Sequence, residues 1–398
     1  MQSMQAALPA DATDLAVDGV VWHDPKRYAW LLGLIVPLLP LFAWLDVTVS
    51  GLAVFWFLGP VVVFGVFPLV DMAIGTDAKN PPDGVIKWLE QDRFYRWCVY
   101  LFLPLQYAGL VVACWFWAHG GLSTIENIGL ALTTGVVAGN AINTAHELGH
   151  KRDDVERLLS KFALAQSGYG HFYIEHNRGH HVRVATPEDP ASARMGEGFW
   201  AFLPRTVYGS LISAWSIEGG RLERTGRSAW SIHSDILQAW GMTVVLFAAL
   251  TAVFGPAILP YMLLQAVLGI ILLEVINYIE HYGLLRQKRE DGRYERCMPE
   301  HSWNSNNLAS NVFLYHLQRH SDHHANPTRR YQALRNDEKT PQLPTGYPGM
   351  MVLAWIPPLW RRVMDPRLIE HYGGDVSHAN VEPRVRGRIL GRYGAPVS

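Results

Sequence analysis

Cysteine is scarce: Cys98, Cys114 and Cys297 are the only three in 398 residues, and none forms a CxxC pair. That count and spacing exclude an internal disulfide framework or a cysteine-held iron–sulfur cluster. Charge is scarce as well. Charged residues make up 17% of the chain and the formal net charge is −1, so no excess of either sign marks a polyanionic partner. Lys and Arg are missing altogether from Trp97 to His150 and from Ser228 to Leu285. The first 22 residues lack a basic stretch leading into an apolar run, which argues against a cleaved signal peptide. The first membrane helix is expected to serve as the targeting signal. Neither internal repeats nor low-complexity tracts are visible.

Apolar residues fill the space that charge leaves. They make up 49% of the chain, with 15 Trp, and they are gathered in long runs. A spanning helix needs about 20 consecutive, mainly apolar residues. Six such runs occur, near 28–46, 51–71, 97–118, 125–146, 234–254 and 257–281. Length alone would allow two soluble domains, but soluble cores seldom carry so many uncharged runs. The expected fold is an all-α integral membrane protein of six transmembrane helices with a cytoplasmic catalytic cap. The turns near 46–50, 119–124 and 254–257 lack Lys and Arg, whereas Lys26, Arg27, Lys79, Lys87, Arg93, Arg96, Lys151, Arg152 and Arg286 flank the other helix ends. The positive-inside rule then places both termini in the cytoplasm and the three short turns outside. The expected organisation is a cytoplasmic segment 1–27, a membrane bundle with its catalytic region over 28–350, and a cytoplasmic tail over 351–398. The insert 151–233 is expected to be partly helical. The Pro-, Gly- and Arg-rich stretch after residue 325 is expected to be irregular.

Eleven of the 17 histidines fall in four short clusters: HELGH (His146–His150), HFYIEHNRGHH (His171–His181), NYIEHYG (around His281) and HLQRHSDHH (His316–His324). Imidazole is the commonest biological ligand for transition metals, and it binds in its neutral form. Residues three and four apart share a helix face. His146 with His150 and His176 with His180 therefore read as i, i+4 pairs, and His320, His323 and His324 suit two or three ligands directed at one centre. With His181 and His281 the set numbers nine, enough for four or five ligands to each of two metals. The topology, read without the histidines, brings every cluster to one side of the membrane.

Glu274 and Asn277 share a face with His281, and a carboxylate inside a membrane helix is costly and usually functional. Glu274, Asn277, Glu280, Asn143, His171 and His316 are expected to stand behind the ligands and orient them. Glu274 could instead bond a neighbouring helix. Asn140 and Asn143 form a polar stripe leading to His146. His23, His119, His233, His301, His371 and His378 are isolated and read as ordinary polar residues. HELGH also fits a zinc-protease helix with Glu147 as general base. That reading leaves seven clustered histidines unexplained and offers no distal Asp ligand on an apolar helix.

Taken together, HxxxH, HxxxHH and HxxHH resemble the histidine boxes of integral-membrane non-haem di-iron enzymes: fatty acyl desaturases, membrane hydroxylases and alkane monooxygenases. NYIEHYGLLR, Asn277 to Arg286, resembles the signature box of bacterial alkane monooxygenases, and HELGHK, EHNRGHH and LQRHSDHH agree with that family in wording. The resemblance covers about residues 25 to 350. It implies terminal hydroxylation of medium-chain alkanes to primary alcohols with O2, at a centre of two Fe ions. It also implies rubredoxin as electron donor, supplied by an NADH-dependent reductase. The nine iron ligands it implies fall on His146, His150, His176, His180, His181, His281, His320, His323 and His324. Histidine ligation alone leaves iron and copper open, and iron rests on the resemblance. Some members carry a fused rubredoxin; the missing CxxC implies either a separate rubredoxin or a sequence that stops short of it.

Two alternatives remain at this stage, a fatty acyl desaturase or hydroxylase and a non-catalytic metal-binding membrane protein. The family is understood to gate chain length on its second helix, where Leu58, Val62 and Gly65 share a face by i, i+4 and i+7 spacing. That face either lines a substrate channel or packs a neighbouring helix. Arg286, Lys288, Arg289, Arg293 and Arg296 form a basic run suited either to an acidic rubredoxin or to anionic lipid.

Overall fold

The computed structural model describes residues 15–17 and 20–394, so much of the N-terminal segment 1–27 lies outside the described residues. Six helices among the described residues are long and apolar enough to cross a membrane. They are span one (Arg27–Ser50), two (Ala53–Ile74), three (Arg93–His119), four (Thr124–Gly149), five (Asp235–Phe254) and six (Pro256–His281). The fold is all-helical apart from a small antiparallel ladder pairing Leu15–Val17 with Val20–Trp22.

Span four is the centre of the bundle, with nine-tenths of its most apolar window buried. Ser123 caps it: its Oγ accepts from the Glu126 N–H, and Glu126 Oε2 accepts from the Ser123 N–H at 2.8 Å. This reciprocal pair satisfies donors that the first helical turn leaves open. Small residues then let span six approach closely. A Cβ at Gly269 would stand 2.9 Å from the Ala138 Cβ, and one at Gly139 would stand 2.9 Å from the Leu272 Cβ. Contact of this kind drives helix association where lipid removes the hydrophobic incentive.

Span two is not a uniform α-helix. It opens with a 3-10 turn (Ala53–Phe57) and contains a π turn over Val62–Val66. The wider turn changes which residues share a face. Leu58 and Val62 pack beside the core, whereas Gly65 is exposed and a Cβ there would meet nothing within 4 Å. Val63 and Phe67 take the inward face.

Between spans four and five, residues Asp154–Ala165 and Phe199–Glu223 are helical. The stretch after residue 325 departs from the irregular structure expected of it, since Tyr347–Ala354 and Pro357–His371 are helices. Their prolines explain the difference. Pro348, Pro357 and Pro358 stand in first turns, where a missing N–H removes no intrahelical bond. Trp360, Met364 and Leu368 recur every four residues and are fully buried, in one core with spans one, four and six. The Trp360 ring lies 5.0 Å from Tyr278 and 5.3 Å from Tyr282, the residue after His281.

Candidate metal centre

The nine histidines gather at one end of the bundle in two groups. His146, His150, His176, His181 and His323 form the first; His180, His281, His320 and His324 form the second. Within each group one ring nitrogen per residue lies within 4.8 Å of all the others. Spans four and six supply His146 and His281 from their last turns, and His150 caps span four. The turn Glu175–His180 and the short helix His181–Arg183 after it supply His176, His180 and His181, and a short helix, His320–Ala325, supplies the remaining three.

One expectation about pairing changes here, and another is narrowed. His176 and His180 do not share a centre, because Glu175–His180 is a π turn. The wider turn brings His176 against His181, with Nε2 atoms 3.1 Å apart, and sends His180 to the second group. His320, His323 and His324 likewise divide, since positions three apart on a helix diverge by about 60°. His323 Nε2 lies 2.8 Å from His146 Nε2, while His324 Nε2 lies 2.8 Å from His320 Nε2.

The tautomers of two rings follow from their surroundings. His180 Nδ1 faces the Asp189 carboxylate at 2.9 Å, and His281 Nδ1 faces the His301 carbonyl at 3.2 Å. Both oxygens accept, so Nδ1 carries the proton and the Nε2 lone pair points into the site. His180 Nε2 and His150 Nε2 are buried without a hydrogen-bond partner. Burial, reinforced by the neighbouring rings, holds His150, His176, His181, His320, His323 and His324 well below the ordinary imidazole pKa. Neutral rings with converging lone pairs repel one another unless a cation lies among them. The donor set therefore fits two transition-metal ions.

Glu280 stands closer than its expected place behind the ligands. Its Oε2 is 3.1 Å from His320 Nε2, at the mouth of the second group, and Tyr347 Oη donates to its other oxygen at 3.0 Å. The carboxylate that does stand behind a histidine is Asp189, which sequence reasoning missed. It is buried, and the Ser192 hydroxyl donates to it at 2.6 Å. Burial alone would raise its pKa, but His180 and Ser192 hold it below the ordinary value. No motif marks it; its one signal is a position nine residues after His180 in an otherwise polar stretch.

The other expected supports bond to partners outside the two groups. Glu274 accepts from Tyr169 (2.7 Å), Thr206 (2.9 Å) and Asn277 (3.1 Å), none of them a histidine of either group. Asn143 donates to the Leu314 carbonyl at 3.0 Å. The His171 ring meets Tyr169 edge-on, and His316 meets Trp30. Glu147 turns away from the site to pair with Lys151 at 2.9 Å, which removes the general base a zinc-protease reading needs.

An apolar cavity of about 50 Å³ abuts the site. Spans one, two, four and six line it through Val36, Val63, Phe67, Val136, Leu272 and Ile276. Leu58, Val62 and Gly65 are absent from its wall, as the π turn in span two dictates. Gly139, Asn143 and Ile276 also line the adjoining pocket at His146, His176 and His320, so cavity and pocket share a wall.

Comparison with known proteins agrees with this geometry. Residues 123–354 match the family described as fatty acid desaturase. The alkane 1-monooxygenase of Acinetobacter baylyi is 49% identical over 374 residues, covering 93% of this chain and 92% of that protein. The chain belongs to the alkane 1-monooxygenase family. That membership makes it an oxidoreductase. The alkane 1-monooxygenase of Ectopseudomonas oleovorans is 48% identical over 93% of the chain and 92% of its own length. A more distant likeness, 26% over 65% of the chain and 63% of its partner, is to the xylene/toluene monooxygenase hydroxylase component XylM of Pseudomonas putida.

Proposed function

We propose that the chain hydroxylates the terminal carbon of medium-chain alkanes to primary alcohols, using O2 and two electrons delivered by rubredoxin. One observation carries the reading. An apolar cavity within the membrane bundle adjoins a pocket at two neighbouring histidine groups, in a chain nearly half identical to alkane 1-monooxygenases. The alkane, O2, two electrons and two protons give the alcohol and one water. His146, His150, His176, His181 and His323 would hold one iron, and His180, His281, His320 and His324, with Glu280, the other. Bound iron would supply the O2 chemistry that cleavage of a terminal C–H bond requires, which redox-inert zinc cannot. The chain's own task is placement: the apolar walls exclude water and thread the alkyl chain so that only its end reaches the histidines.

The shortage of Lys and Arg in three turns supports a cytoplasmic location for both termini and for the histidine groups, with the bundle over 28–350 and a tail over 351–398. Such a location suits a soluble rubredoxin reduced by an NADH-dependent reductase. The test is purified protein with rubredoxin, rubredoxin reductase, NADH and octane, assayed for 1-octanol. Desaturated or hydroxylated acyl products, with alkanes untouched, would favour the fatty acyl alternative. Metal content without O2 consumption would favour a non-catalytic metal-binding protein.

A further inference from the structure

The 25-residue helix Phe199–Glu223 is too polar to be a span, yet it exposes an uncharged face. Phe202, Thr206, Ser210, Ala214, Glu218 and Leu222 recur every four residues and are buried against the protein. On the opposite side Trp200, Pro204, Tyr208, Ile212 and Ser216 recur with the same period, and all are exposed. Tyr208 is 67% exposed, far more than a large aromatic normally shows to water. The only charged side chain between Phe199 and Ile217 is Arg205, which is drawn inward by Glu197 and by the Pro190 and Ser192 carbonyls.

The anchors of this helix fix its depth. Thr206 donates to Glu274, seven residues before the end of span six at His281. At 1.5 Å per residue that is about 10 Å inside the end of a membrane helix. Near its other end, Glu218 accepts from the N–H of Asp235, the first residue of span five. Tyr208 and Ile212 lie between these anchors. Just past the helix, Glu223, Arg224 and Arg227 are exposed, followed by Trp230 at 77% and Ile232 at 83% exposure.

We infer that Phe199–Glu223 and the turn 227–234 form an in-plane membrane-interface element. The occupant of the Trp200–Ile212 face is the lipid of the bilayer that the six spans cross. Three features select lipid. The face lies at a depth that spans five and six themselves assign to the acyl–headgroup boundary. It carries Trp, Tyr and aliphatic side chains, the composition favoured at that boundary. Charge returns only where the chain leaves it, with Arg224 and Arg227 placed to meet anionic headgroups.

The test uses the full-length, iron-loaded protein carrying Cys297→Ser, so that the half-buried native thiol does not react. Tyr208→Cys, Ile212→Cys and, as water-exposed reference, Asp291→Cys are each labelled with a small fluorophore. They are reconstituted in phosphatidylethanolamine–phosphatidylglycerol vesicles. Quenching by brominated lipid should be roughly threefold stronger at 208 and 212 than at 291, and quenching by aqueous iodide correspondingly weaker. Retained iron content certifies the fold, and Pro204→Cys replaces either variant that fails it. Iodide quenching at 208 and 212 equal to that at 291 would overturn the inference. Protection from both quenchers would overturn it equally, since another protein surface would then cover the face.

Discussion

His176 turns its Nε2 to that of His181, five residues on, and not to that of His180, four residues on. Their Nε2 atoms lie 3.1 Å apart, and the π turn between them distributes three neighbouring histidines over two groups. Loss of His181 should therefore empty a different group from loss of His180. His181→Ala and His180→Ala are each expected to lower iron from about two per chain towards one and to abolish turnover. His371→Ala, distant from both groups, should do neither. Iron analysis on the purified variants checks this, and two irons in either single variant would contradict the division.

Asp189 is expected to act on a bound metal through His180. Asp189→Asn keeps the size but removes the obligate acceptor, so the His180 proton is no longer held on Nδ1. Such a loss is expected to weaken iron binding about 10- to 100-fold. Asp189→Glu should recover part of it. Iron titration of apo-protein reads the affinity directly; a merely structural role would lower the folded yield without changing the affinity of what folds.

The buried imidazoles give the apo-protein a pH dependence of known sign. Six of them are held below the ordinary value, so they stay neutral when folded and gain protons when unfolded. Their stabilising contribution is full above about pH 6.5 and falls as pH drops through 6.5 toward the folded values. Each unit below 6.5 costs about 1.4 kcal/mol per histidine while its folded form remains neutral. Thermal unfolding of apo-protein in detergent should show a lower midpoint at pH 5.5 than at 7.5. Equal midpoints would mean that the rings are already charged in the fold.

Chain-length preference should follow the cavity wall and not the outer face of span two. Val63→Trp fills space beside Phe67 and Leu272 and should shift the preferred alkane shorter, with iron content unchanged. Gly65→Leu points into open space and should leave the product profile as it is. Competition among alkanes of graded length discriminates the two; a shift in the Gly65 variant alone would move the channel to the other face.

Electron delivery offers a surface test. Arg286 is occupied, donating to the Val182, Val184 and Glu295 carbonyls, but Lys288, Arg289, Arg293 and Arg296 are exposed. If an acidic rubredoxin docks there, Arg289→Glu with Arg293→Glu should slow reduction, and added salt should slow the parent protein. Stopped-flow reduction rates indifferent to both changes would leave these residues to anionic lipid.

Most of the architecture was legible because its signals are long or repeated. Six uncharged runs cannot be satisfied in water, and four histidine clusters at helical spacing must converge somewhere. What stayed hidden depends on single turns. The π turns at 62–66 and 175–180 alter which residues face inward, and no residue in VVFGV or EHNRGH announces a wider turn. Asp189 and the His301 carbonyl are brought to their rings by tertiary folding alone. The helices after residue 345 were obscured by prolines: Pro348, Pro357 and Pro358 open helices instead of breaking them, and Pro366 is accommodated inside one.

Both groups draw on the same short helix: His323 completes the first, and His320 with His324 the second. Neither metal position is whole until residue 324 has been synthesised, although His146 to His181 are made far earlier. The buried Trp360, Met364 and Leu368, which close the flank of span six beside His281, arrive later still. On a growing chain the early histidines can offer only partial sites. Metal loading thus belongs after translation, when the last quarter of the polypeptide has folded back onto a bundle already in the membrane.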